Sequence, residues 1–440
     1  MGDLLLRGGT VLDTQGERLA DVLVRGRDIL EVGTEVASAA GEAVTVLDAS
    51  GCVVAPGLVD LHTHLREPGL EVAETVETGS RAAAVGGYTA VVAMPNTTPA
   101  LDNASVVRDV LALGRGALAQ VAVAAAITIG RKGERLTPMG ELAALGVHLF
   151  TDDGRGVQDA RLMRRALEYA SDLGIVLAQH CEDEALAAGG HMNEGAWSSR
   201  LGIAGQPGLA EEAMIARDLA LVRQTGAPMH FLHLSSAGSV ELIRRAKAEG
   251  LPVTAEVTPH HLSLTDEAVA GFDTAFKVNP PLRTGRDVAA LREGLRDGVI
   301  DAVATDHAPH LSESKEEPFD HAPFGMIGLE TSLAVTHTIL STAPDGDAWP
   351  LGDLFGALSW RPARIARLDR ASGGRHGGPI AAGEPANIVV FDPAAIWVVD
   401  SAAMVSRSRN TPFSGMKVQG RVRHTVYEGE AVVVDGEPQR

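Results

Sequence analysis

Eight apolar, strand-like runs alternate with helix-like segments along the middle of this chain, and that alternation limits its fold more than any other feature. The runs cover residues 53–64, 88–95, 121–128, 147–153, 175–182, 229–235, 253–261 and 302–310. The segments between them carry helix punctuation. Ser239 is placed to cap a helix holding Leu242, Ile243 and Ala246 that Gly250 ends, and residues 157–173 repeat Met163, Ala166, Leu167 and Ala170 at helical spacing before Gly174. Near-continuous apolar strands between helices indicate a parallel sheet covered on both faces. Eight such units predict an α/β fold built on a (β/α)8 TIM-type barrel, with a doubly wound sheet as the alternative.

The two ends read differently. Residues 4–12, 22–32 and 44–47, then 386–392, 418–427 and 431–434, are β-rich stretches broken by Gly and Asp. They predict a small β-sandwich domain formed by both termini, residues 1–55 and 366–440, around a barrel at 56–365. A chain of 440 residues is ample for that plan, and its net charge of −19 argues against nucleic acid or an anionic membrane as the main partner. Cys52 and Cys181 are too few for a disulfide framework. The start, Met1 to Arg7, lacks the pattern of a signal peptide, and no apolar run is long enough to span a bilayer. A cytoplasmic protein is expected.

Six side chains of metal-ligand type close the apolar runs: His62, His64, Asp153, His180, His233 and Asp306. Alternate side chains on a strand share a face, so His-Thr-His at 62–64 aims both imidazoles one way. Enzymes with a (β/α)8 barrel assemble their sites where the strands end. Alone, each residue has an ordinary explanation: a satisfied buried histidine, a turn at Asp152-Asp153-Gly154, a helix cap at Asp306. Six at one end of one barrel do not. Imidazole and carboxylate suit zinc or a similar divalent ion, and six donors suit two ions sharing a carboxylate rather than one. Such a pair lowers the pKa of bound water and polarises a carbonyl, the requirements for amide hydrolysis. His260 and His261 are read as shaping the seventh strand. His148, His191, His321, His337 and His424 have no evident partner, and Cys181 is read as packing.

Arg66, Asn96, Asn279 and His310 lie near these ligands in sequence. A guanidinium binds carboxylates in bidentate fashion, so Arg66 implies an anionic small-molecule substrate if it faces the pocket. The polar stretch 311–325, ending in Pro323-Phe324-Gly325, reads either as a lid or as an ordinary surface loop.

These motifs resemble the amidohydrolase superfamily and, within it, the class I dihydroorotases. The resemblance rests on residues 56–69 (Pro-Gly-Leu-Val-Asp-Leu-His-Thr-His-Leu-Arg-Glu-Pro-Gly), Met94-Pro95-Asn96-Thr97, Phe150-Thr151-Asp152-Asp153-Gly154 and His180-Cys181-Glu182. It continues through residues 192–195, 256–262 and 324–330, and through Thr305-Asp306-His307-Ala308-Pro309-His310. It implies reversible zinc-dependent cyclisation of N-carbamoyl-L-aspartate to L-dihydroorotate in pyrimidine synthesis. It also implies that His62, His64 and Asp306 hold one zinc, that His180 and His233 hold the other, and that Asp153 bridges them. A bridging hydroxide would attack the ring amide, with Asp306 as general acid and base. Arg66, Asn96 and His310 would bind the carboxylate, while Asn279 and the backbone near Phe324 and Gly325 would touch the ring. A homodimer is the family expectation.

Related hydantoinases and allantoinases bridge their metals through a carboxylated lysine, and this chain has no lysine between Lys132 and Lys247. Asp153 takes that place, which leaves one or two zincs open, with two expected. Three alternatives therefore stand: a dihydroorotase, another cyclic amidase, or a silent relative that scaffolds aspartate carbamoyltransferase. A complex with that transcarbamoylase is compatible with the first as well as the third.

Overall fold

The computed structural model describes residues 2–34, 36, 44–341 and 348–440; Met1 and residues 35, 37–43 and 342–347, which fall within the expected 1–55 and 56–365 ranges, lie outside the described residues. Its central sheet has eight strands: β1 (Leu58–Thr63), β2 (Tyr88–Ala93), β3 (Gln120–Ala125), β4 (Leu149–Thr151), β5 (Val176–Gln179), β6 (Met229–Phe231), β7 (Val253–Val257) and β8 (Ala302–Val303). They lie in sequence order, every neighbouring pair parallel. A parallel bridge between Thr63 and His307 joins the last strand's extension to the first, and the His64 N–H donates to the His307 carbonyl at 2.9 Å. The sheet therefore closes as a (β/α)8 barrel. Small side chains dominate one strand face, where Ala90, Ala124, Ala178, Ala302 and Ala304 cluster with Val59, Leu61 and Val92. The opposite face packs under helices through residues such as Tyr88, Phe150, Leu177 and Phe231.

Besides a short two-stranded sheet, Met192–Asn193 with Gly205–Gln206, the remaining sheets are built by the termini. In the seven-stranded sheet, Val53–Pro56 lies between Ile388–Val398 and Thr10–Asp13, pairing antiparallel with the first and parallel with the second. A four-stranded sheet of N-terminal strands packs on it over a shared core that includes Leu4, Val22, Ile29, Val54, Ile388 and Val426.

Several expected boundaries move. The single run expected over 53–64 is two strands in two sheets, divided at Gly57. A Cβ on Gly57 would lie 2.3 Å from the Thr89 side chain, so only glycine lets the chain cross there. The last strands end sooner than their apolar runs: β6 stops at Phe231, β7 at Val257 and β8 at Val303. His260 and His261 lie on a short helix, Pro259–Ser263, which Thr258 caps and Pro259 begins, so they do not shape the strand. Ser236, not Ser239, caps the helix Ala237–Ala248, because its hydroxyl accepts the Ser239 N–H. The helix Ala160–Leu173 stops at Gly174 as expected, in a left-handed turn with φ 63°. Among the described residues, no helix is long and apolar enough to cross a membrane.

Candidate metal centre

Strand ends deliver each ligand-type residue to one point. His62 lies within β1, with His64 just beyond it, and their ring centroids are 5.3 Å apart. Asp153 follows β4, where the neighbouring Asp152 is tied down by the Thr128 N–H at 2.9 Å and by the Thr128 hydroxyl. His180 follows β5. His233 and Asp306 follow β6 and β8 on backbones turned into the left-handed region, φ 30° and 46°, as does Arg66 at 61°. Non-glycine residues avoid that region, and they tolerate it where surrounding contacts over-determine the geometry, as at functional sites.

The six side chains are all buried. Two triads converge, His62-His64-Asp153 and Asp153-His180-His233, each with ligand atoms within 4.8 Å of one another. Asp153 belongs to both: its Oδ1 is 3.3 Å from His62 Nε2, 3.6 Å from His180 Nδ1 and 3.7 Å from His233 Nε2. Asp306 Oδ1 lies 2.9 Å from His64 Nε2 and 3.5 Å from His62 Nε2. His62 Nε2, at the centre, is buried without a hydrogen-bond partner. An orphaned imidazole nitrogen facing two carboxylates is what a cation would satisfy, so the donor set fits a divalent metal.

Electrostatics agree with this geometry. Burial opposes ionisation of Asp153, but His62, His180 and His233 hold its carboxyl well below the usual range. Asp306 is likewise lowered against its burial by His62 and His64. His180 is pushed up to about 10: burial pulls it down, but Asp153 and Glu182 prevail. The Asp153 and Asp306 carboxyls are therefore both ionised, as ligands of a cation must be.

The imidazoles also have outer partners, and two of them, Glu256 and Glu182, the sequence did not single out as functional. Glu256 Oε1 accepts from His62 Nδ1 at 2.9 Å, Asn96 Oδ1 from His64 Nδ1 at 2.8 Å, and Glu182 Oε2 lies 3.6 Å from His180 Nε2. The signal for Glu256 was a lone carboxylate inside an otherwise apolar strand.

A cavity of about 210 Å³ opens on the cluster, and its walls include Arg66, Asn96, Asn279, His310, Phe324 and Gly325. Arg66 donates its Nε–H to the Pro309 carbonyl at 3.0 Å and pairs with no carboxylate of the described residues. Burial pulls it down to about 10, which leaves it charged near neutrality. Asn279 donates to Glu182 at 2.7 Å, and its Oδ1 is buried without a partner. Asn96 is engaged with His64 and donates to Asp153 Oδ2 at 3.2 Å. His310 Nε2 donates to the Phe324 carbonyl at 2.8 Å; burial and Arg66 press the ring down to about 3, so it is neutral. The Gly325 N–H and C=O are both taken, by the Lys277 carbonyl and by Lys315 and Asn410.

The stretch 311–325 folds into a wall of this cavity. It carries a short helix, Ser312–Lys315, and the Lys315 ammonium donates to the Pro323 and Gly325 carbonyls at 2.9 and 3.0 Å. Of the histidines without an evident partner, His337 and His424 bond backbone groups and His191 lies 3.4 Å from Lys277 Nζ. Cys181 is buried in the core. A larger cavity of about 260 Å³, lined by Glu330, Trp397 and Arg421, lies elsewhere and holds none of the six ligand-type residues.

Comparison with known proteins agrees with this architecture. A family model described as Dihydro-orotase-like matches residues 51–239. A dihydroorotase of Pelotomaculum thermopropionicum is 48% identical over 98% of this chain and 99% of its own length. One of Streptomyces coelicolor is 49% identical over 99% of each. Among solved structures, the L-hydantoinase (dihydropyrimidinase) of Arthrobacter aurescens superposes with a TM-score of 0.87 at 26% identity, covering 100% of this chain and 98% of that one. The dihydropyrimidinase of Brevibacillus agri NCHU1002, at 24% identity and a TM-score of 0.85 over 99% and 96%, shares the fold. Identity of nearly one half, sustained from end to end over a barrel with these converging ligands, shows that the chain belongs to the dihydroorotase family.

Proposed function

We propose that this chain is a zinc-dependent dihydroorotase, interconverting N-carbamoyl-L-aspartate and L-dihydroorotate in pyrimidine synthesis. One observation carries the choice of substrate: the Arg66 guanidinium, without an acidic partner among the described residues, faces the cavity onto which the metal-type ligands open. A cyclic amide bearing a carboxylate answers both features.

In this reading His62, His64 and Asp306 would hold one zinc, His180 and His233 would hold a second, and Asp153 would be shared between them. When bound, zinc acidifies water and polarises the scissile carbonyl. The chain's own residues do the rest. Arg66 engages the substrate carboxylate, with Asn96 and His310 beside it. The unpartnered Asn279 Oδ1 accepts a ring N–H, and Phe324 and Gly325 form the wall against the ring. As water adds to the ring carbonyl, Asp306 takes its proton and passes it to the departing nitrogen, so the C–N bond breaks with its proton balance closed. In the synthetic direction Asp306 takes the proton of the carbamoyl nitrogen as it closes on the carboxyl carbon and returns it to the carboxyl oxygen, which leaves as water as the C–O bond breaks.

The catalytic barrel is assigned to 56–365 and the sandwich to 1–55 and 366–440. The reaction is placed in the cytoplasm, consistent with two free, buried thiols, Cys52 and Cys181. A homodimer, with docking to aspartate carbamoyltransferase, completes the proposal.

The test is hydrolysis of L-dihydroorotate by the zinc-replete protein alone, beside allantoin and dihydrouracil. Selective turnover of dihydroorotate is expected. Preference for either other substrate overturns the assignment. Turnover only on addition of aspartate carbamoyltransferase makes the enzyme partner-dependent, and silence in both arms favours the scaffold.

A further inference from the structure

We infer that Glu256 is a positioning residue for the metal centre: its carboxylate, braced by His230, fixes the His62 proton on Nδ1 and so leaves Nε2 free for a cation. The inference rests on the reading of His62 as a metal ligand.

Glu256 lies on β7 and is fully buried. Both of its oxygens are used by imidazoles, Oε1 by His62 Nδ1 at 2.9 Å and Oε2 by His230 Nε2 at 3.0 Å. An ionised carboxylate only accepts, so both ring nitrogens must be donors. That assigns the tautomers. His62 carries its proton on Nδ1, and its Nε2 lone pair points between Asp153 and Asp306 with no hydrogen-bond partner among the described residues. A lone pair between two carboxylates is repulsive until a cation lies among them.

His230 completes the arrangement from β6. Its Nδ1 lies 2.8 Å from the Thr254 hydroxyl, which can donate and thereby keep the His230 proton on Nε2, facing Glu256. Thr254, His230, Glu256 and His62 thus form one connected set of hydrogen bonds across β7, β6 and β1 that converges on the Glu256 carboxylate. Ala302 stands opposite Glu256 in the β7–β8 register, and its methyl leaves room for the longer side chain. No Arg or Lys pairs with Glu256 among the described residues, so its compensation comes from the imidazoles alone. A buried carboxylate held only by imidazole hydrogen bonds is a poor source of stability compared with apolar packing, which makes orientation of His62 the better account of its presence. The partner of His64, by contrast, is the neutral Asn96 amide. Carboxylates behind metal-binding histidines raise ligand basicity, and their loss costs about 10–100-fold in metal affinity or activity.

The test measures zinc affinity of the full chain by chelator competition, with the visible absorption of the cobalt-substituted protein as a second readout. Glu256→Gln is expected to weaken zinc by about 10–100-fold and to change the cobalt spectrum. His230→Ala should give a smaller loss in the same direction. His230→Gln, which keeps a donor near the Nε2 position, should restore the affinity. If Glu256→Gln does not fold, the His230 pair decides. Unchanged affinity and spectrum in the folded variants, with the unmodified protein binding zinc, overturn the inference alone. An unmodified protein that binds no zinc overturns the metal-centre reading as well.

Discussion

Arg66 and Asp306 divide the work of the site at the scale of single residues. Arg66 is charged, lies against the cavity and lacks an acidic partner among the described residues, so its free energy of interaction is held for an incoming anion. A hydrogen bond to a charged group is worth about 1.5–3 kcal/mol. Arg66→Ala should therefore raise KM for dihydroorotate on the order of tenfold or more while kcat falls less, and an unchanged KM in steady-state assays would remove Arg66 from the pocket. Asp306 is held ionised by His62 and His64 and lies 2.9 Å from His64 Nε2 on the wall of the cavity, so it can accept a proton. Asp306→Asn should lower kcat by about 10²–10⁴-fold or beyond, because general acid–base transfer is lost along with a metal ligand. Substantial residual turnover in a folded, zinc-loaded variant would exclude the proton-relay role.

Whole elements hold those residues in place through buried side-chain networks. Asp60 on β1 accepts the Thr305 N–H at 2.8 Å and its hydroxyl at 2.6 Å, which pins the turn that presents Asp306. Glu211 receives the Ser235 and Ser236 N–H groups, each at 3.1 Å, just beyond His233. The 311–325 segment is held differently, by two lysines that cap carbonyls: Lys315 as described, and Lys277, which donates to the Ala322 carbonyl at 2.7 Å. Burial, and then Lys277, press Lys315 down to about 7 from the ordinary 10.5. Between those two values the unfolded chain carries a proton that the folded one lacks, so this lysine makes stability rise with pH across that window and contributes no slope below it. Urea denaturation of the native chain and of Lys315→Met at pH 7.5 and 9.5 should show a stability difference that shifts toward the native chain at the higher pH. An equal difference at both would show that the ammonium is not perturbed in the folded state.

For the molecule as a whole, the barrel and the terminal sheets are not separable appendages. Val53–Pro56 lies in the middle of a sheet contributed by both ends of the chain, and one residue later the same chain begins β1 with its zinc-type histidine pair. The metal site is built from five of the eight strand ends, so a bound cation ties distant segments together. A ligand that binds only the folded state stabilises it by about 2.7 kcal/mol at a hundredfold excess over Kd. Zinc should therefore raise the Tm of the chelator-stripped protein in a concentration-dependent way. The same titration with His62→Ala, His180→Ala and Asp153→Ala combined should leave Tm flat; a flat response in the native chain would dissociate metal binding from the fold.

The sequence by itself determined the alternation of strands and helices, the two β-rich ends and the positions of the ligand-type residues at the ends of apolar runs. These are short-range properties: periodicity, punctuation and residue type are written locally. Only the tertiary structure decided where one long run breaks, because Gly57 is required by Thr89 on a neighbouring strand rather than by anything beside it in sequence. It alone turned His233 and Asp306 into left-handed backbone, which Asp and His enter more readily than most residues but which is still uncommon for them. It alone set Glu256 behind His62 across 194 positions and committed the Gly325 backbone to Lys277 and Lys315. Hydrogen bonds of that reach depend on barrel closure, which a sequence pattern makes plausible and only packing completes.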